Sequence, residues 1–90
     1  MRVLGIVFAG TATEHREAMS SFVAGVLGLE RIEVGGTTRS LGFLVDDLAA
    51  AVDALREAGV EPGPVAENAR FRYSHFRAPD GSLYELVERR

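Results

Sequence analysis

Two stretches of the chain share one order: an apolar run, a short polar loop, a helical stripe of apolar residues, then a glycine. Residues 3–9 (Val-Leu-Gly-Ile-Val-Phe-Ala) are almost continuously apolar, the pattern of a short buried strand. Gly10-Thr11-Ala12-Thr13 reads as a loop, and Thr13 is placed to cap a helix whose first turn carries Glu14 and Glu17, where acids suit the helix dipole. Over residues 14–27 the apolar positions Ala18, Met19, Phe22, Val23, Val26 and Leu27 recur at helical spacing, and Gly28 ends the run as a C-terminal glycine does. Residues 29–34 alternate imperfectly, as a strand with one wet face does, before a Gly35-Gly36-Thr37 turn. The pattern then restarts. Residues 40–45 read as a strand, Asp46 or Asp47 as the cap of a second helix, and Leu48, Ala51, Val52, Leu55 and Ala58 as its apolar stripe, ended by Gly59.

Beyond the rigid bend at Pro62-Gly63-Pro64, Val65-Ala66 can begin a short strand, and residues 70–77 and 82–88 read as a hairpin. Its turn is Pro79-Asp80-Gly81: proline presets φ, and glycine accepts a positive φ that other residues resist. The second hairpin strand carries one acid, Glu85, between Leu83 and Val87. A carboxylate among apolar strand residues has to sit at a solvated end, pair with an arginine, or face a cavity or a metal. The order is β-α-β followed by β-α-β-β-β, a weak duplication at a period of about forty residues.

Composition narrows the picture. Ninety residues make at most one domain, and 47% hydrophobic residues argue against disorder. There is no cysteine, so neither a disulfide framework nor a thiolate metal site exists. The net charge is −3, and all ten basic residues are scattered arginines rather than the stripe of a nucleic-acid binder. No apolar run approaches a membrane span. The expectation is a soluble, cytoplasmic protein without nucleic-acid or membrane partners.

Three segments, in order, resemble the vicinal oxygen chelate superfamily, the group of glyoxalases, bleomycin-resistance proteins and extradiol dioxygenases. Phe22–Leu29 (Phe-Val-Ala-Gly-Val-Leu-Gly-Leu) resembles the end of that family's first helix. The segment from Gly42 to Pro64 resembles the opening of its second module, and that from Ala78 to Glu88 its closing Asp-Pro-Asp-Gly turn and Glu-Leu-x-Glu strand. The resemblance implies an α+β fold in which paired βαβββ modules form a cup-shaped mixed sheet, with helices on the convex side. The single domain would span 1–90, with residues 1–36 as a shortened first module and 37–90 as the second. Only Gly-Gly-Thr-Thr-Arg separates Val34 from Ser40, so two strands of the first module are missing.

Metal enzymes of that family place His or Glu on the concave face. Carried over position by position, those ligands fall on Phe8, Ser40 and Glu85, and only Glu85 can bind a divalent ion well. No cofactor is therefore expected. Phe71, Tyr73 and His75 alternate along one strand face and make, with Phe8, either an aromatic pocket or part of the core. Arg72, like Arg70 and Arg77, could clamp an anion or pair with an acid. The ligand-binding candidates are Glu85, Phe8, Ser40, Tyr73, His75 and Arg72, with no catalytic residue assigned. The functional expectation is a metal-free small-molecule-binding protein acting as a homodimer. Its alternatives are a metal-dependent lyase or dioxygenase using Glu85 and a non-catalytic structural or assembly module; whether the protein is an enzyme is left open.

Overall fold

The structure is a computed structural model that describes residues 1–32 and 36–90. Its elements are β1 (Val3–Thr11), α1 (Arg16–Ser21) running into a π-helical turn (Phe22–Val26), β2 (Arg39–Val45), α2 (Leu48–Glu57), β3 (Ala66–Glu67), β4 (Phe71–Arg77) and β5 (Leu83–Arg89). They form an α+β arrangement around one open sheet of order β1-β2-β5-β4-β3. Only β2 and β5 run parallel; the other neighbours are antiparallel. The parallel pair needs a long crossover, and α2 supplies it.

α2 forms where the sequence pattern places it. The Asp47 carboxylate accepts the Ala50 backbone N–H at 3.1 Å, an N-cap, and Gly59 follows the helix at φ 82°. Leu48, Ala51, Val52 and Leu55 of its stripe are buried against Val45 and Leu86, with Phe43, Val60 and Phe76 packed around them. Ala58, the last residue of the expected stripe, is exposed. The alternation of the strands sends Phe43 and Val45 of β2, Leu86 of β5 and Phe76 of β4 toward α2. Ser40, Gly42 and Leu44, with Glu85 and Val87, therefore lie on the other face.

The first third of the chain departs from its pattern. Its first strand forms but is not buried: Val3, Leu4, Ile6 and Val7 are all exposed, Ile6 at 63%. The first helix is shorter than residues 14–27, and its apolar side is exposed too, with Val26 at 72%. No described residue before Ser40 is buried. Among the described residues before Arg39 only β1 joins the sheet, and the apolar side of α1 stays exposed. Thr13 is not the cap: its hydroxyl accepts the His15 N–H at 3.1 Å, and the helix begins after His15. Gly28 keeps its terminating role at φ 68°, letting the Leu29 N–H reach the Val23 carbonyl at 3.0 Å. Of the strand expected over residues 29–34, residues 29–32 are not strand, and the remainder lies outside the described residues.

Candidate functional site

The register of three strand pairs aligns one row of residues across the open face, opposite α2. Phe8 on β1 pairs with Gly42 on β2, Gly42 with Glu85 on β5, and Glu85 with His75 on β4. Residues directly opposed in a sheet share a face, so all four look out on one side. Gly42 lets this row close up: a Cβ there would overlap the Phe8 ring, which lies over the strand next to Glu85. Sequence reasoning did not single out Gly42. Its signal was present, since a glycine inside a strand often marks the close approach of another group.

Glu85 sits between that ring and an imidazole. Its side chain is only 15% exposed, and its Oε2 lies 3.2 Å from Nε2 of His75. Glu85 has no other hydrogen bond or ion pair among the described residues. Among the described residues no buried side-chain oxygen or nitrogen lacks a partner, which leaves Oε1 in reach of solvent. Burial raises the carboxyl above its ordinary range; the His75 charge and hydrogen bond oppose this but do not cancel it. Tyr73 stands beside His75, their rings edge to face at 5.8 Å, and pairs across the strands with Val87. The three alternating residues of β4 thus lie on the face away from α2, while Phe76 is the one that joins the core.

A backbone clip fixes the His75 strand. The Gly63 N–H donates to the His75 carbonyl at 2.7 Å, and the fully buried Ser74 hydroxyl donates to the Gly63 carbonyl at 2.8 Å. The other sequence candidates do not join the row. Ser40 is on the open face but buried, its hydroxyl donating to the Leu83 carbonyl at 2.7 Å. Arg72 pairs with Glu88 on the α2 side of the sheet and forms an ion pair with Glu67 at 3.5 Å. Arg70 lies 4.0 Å from Glu30 and over the Phe71 ring, and Arg77 donates to the Gly81 carbonyl at 3.0 Å.

The donor set does not suit a divalent metal. Among the described residues no group of three or more His, Asp and Glu is close enough to hold one. Glu85 and His75 supply two donors where catalytic zinc uses three protein ligands. A shallow surface depression of about 490 Å³ lies elsewhere, between Arg16, Glu17, Ser20, Ser21 and Arg31. No described helix is long and apolar enough to cross a membrane.

A mixed open sheet, helix-covered on one side and bearing the Glu85 carboxylate on the other, defines a small domain of the α+β class. The chain belongs to the Glyoxalase/Bleomycin resistance protein/Dioxygenase superfamily, whose family model matches residues 8–86. Among solved structures it is similar to a glyoxalase/bleomycin resistance protein/dioxygenase superfamily member from Vibrio splendidus 12B01. That match has a TM-score of 0.57 and 14% identity, covering 91% of this chain and 96% of that one. It is also similar to TnmS3, an antibiotic binding protein from Streptomyces sp. CB03234, with a TM-score of 0.52 and 18% identity, covering 90% and 92%. No curated protein matches the chain.

Proposed function

We propose that this is a metal-free small-molecule-binding protein that works as a homodimer, its ligand lying over Glu85 on the open sheet face. The row Phe8–Gly42–Glu85–His75 carries this reading. It holds a mostly buried carboxylate with one oxygen free, flanked by aromatic surface, on a face that α2 does not cover. A structural neighbour is itself an antibiotic binding protein, which supports a small-molecule ligand over a metal-activated reaction.

The second copy is argued from surface. The chain exposes 6358 Å², where a folded monomer of 9.7 kDa exposes about 5,100 Å². Its radius of gyration is 14.0 Å, against about 12 Å for a compact domain of this length. The excess exceeds the roughly 800 Å² that a stable interface takes from each partner. It coincides with the apolar residues of β1, α1 and the π-helical turn, and β1 is a long edge strand of the kind that invites pairing.

Elemental analysis of gently purified protein, run with light scattering, tests both parts. A dimeric mass with no stoichiometric metal is expected. About one divalent ion per chain overturns the metal-free reading, and a monodisperse monomer overturns the dimer.

A further inference from the structure

We propose that the ligand is a flat ring system bearing a cationic or N–H donor group, the donor meeting Oε1 of Glu85 and the ring lying against Phe8. This rests on the reading of the open face as the binding surface and adds the chemistry that face selects.

The charges on this face give the sign. Glu85 has His75 as its one neighbouring charge partner, and that contact uses Oε2. Arg77 shares the face two residues beyond His75, opposite Leu83, but its guanidinium turns toward the hairpin turn, where it donates to the carbonyls of Gly81 and Gly36 at 3.0 and 3.4 Å, and His75 is the one charge that acts on Glu85. Arg89 is exposed at the other end of β5. It lies four residue steps along the strand from Glu85, about 13 Å of backbone. A ligand anion would meet a carboxylate here with no guanidinium beside it. A ligand cation or N–H would give the free oxygen a charge-assisted hydrogen bond, the strong kind, in a half-desolvated place where such bonds count for most.

Shape follows from the row. The sheet floor rises in aromatic groups on both sides of Glu85: the Phe8 ring seated on Gly42, and the imidazole of His75 with Tyr73 edge-on behind it. Adjacent strands lie about 4.8 Å apart, so the row spans roughly 14 Å of backbone from Phe8 to His75, room for a fused two- or three-ring system. The faces of Phe8 and Tyr73 carry negative quadrupole potential, which again favours a cation over an anion.

The test uses two probes with one tricyclic frame and opposite charge, 9-aminoacridine and acridine-9-carboxylate, titrated by their own fluorescence at pH 7.5. The wild-type protein is expected to bind the cation at least tenfold more tightly than the anion. Glu85→Gln, its fold checked by circular dichroism, should lower cation affinity at least tenfold and leave the anion's unchanged or higher. Phe8→Leu should weaken both probes, the cation more than the anion. Equal binding of the two probes, or tighter binding of the anion, overturns the inference and leaves the open face as a binding surface. Cation binding indifferent to both substitutions places the probe elsewhere and overturns it too. Binding of neither probe removes the reading along with the inference. The wild-type ratio decides the charge preference even if the Glu85→Gln protein does not fold.

Discussion

Glu85 is held at a cost to the fold. Burial raises its carboxyl, so the folded protein prefers the protonated form more than the unfolded chain does. The sign follows from proton binding: below the ordinary carboxylate range both states are protonated and nothing is lost. As pH rises through that range the unfolded chain ionises freely while the folded one resists, and stability falls until the raised native value is passed. Glu85→Gln keeps the shape and the contact with His75 and removes this penalty. The variant should melt higher than wild type at pH 7, with the gap closing toward pH 4, as read by thermal melts at both values. A variant that melts lower at pH 7 would mean that the His75 pairing outweighs burial.

At the level of elements, β4 is positioned by the Pro62–Pro64 bend through the Ser74–Gly63–His75 hydrogen bonds. Ser74 is fully buried, so truncating it leaves the partly buried Gly63 carbonyl without its donor. Ser74→Ala should cost about 1–3 kcal/mol, measured by urea unfolding. Because β4 presents His75 to Glu85, probe affinity should fall as well. The Phe8–Gly42 seat makes a parallel case between β1 and β2. Gly42→Ala displaces the ring, so Phe8→Leu should cost less stability in the Gly42→Ala background than in wild type, and a double-mutant cycle should show the two positions coupled.

The whole molecule is lopsided: its core draws on β2, α2, β4 and β5, and the first 39 residues add no buried described side chain. A second copy covering β1, α1 and the π-helical turn would bury Ile6, Met19, Phe22 and Val26 and link stability to protein concentration by mass action. The melting temperature of the wild type is expected to rise by several degrees over a hundredfold increase in concentration. Phe22→Glu should shift the light-scattering mass toward a single chain and flatten that dependence. A concentration-independent melt for the wild type would leave the apolar arm without this partner.

Local pattern was enough for most elements whose signal is short-range, the Thr13 cap and the full length of the first helix being the exceptions. The Asp47 cap, the stripe Leu48–Ala51–Val52–Leu55, the left-handed glycines 28, 59 and 81 and the closing hairpin all lie where spacing and turn chemistry put them, because each depends on neighbours within a few residues. The likeness to the superfamily was readable for the same reason, since its three segments are local. Where apolar residues go after an element forms is a different question. Val3, Ile6, Phe22 and Val26 have the periodicity of buried positions and are exposed, since periodicity says which side is apolar and not whether another surface reaches it. The site itself was decided by register. Phe8, Gly42, Glu85 and His75 are far apart in sequence, and a shift of one residue in any strand pair would turn a member of the row to the other face. Only the assembled sheet sends Arg72 to the α2 side, commits the Ser40 hydroxyl to Leu83, and leaves one oxygen of Glu85 free.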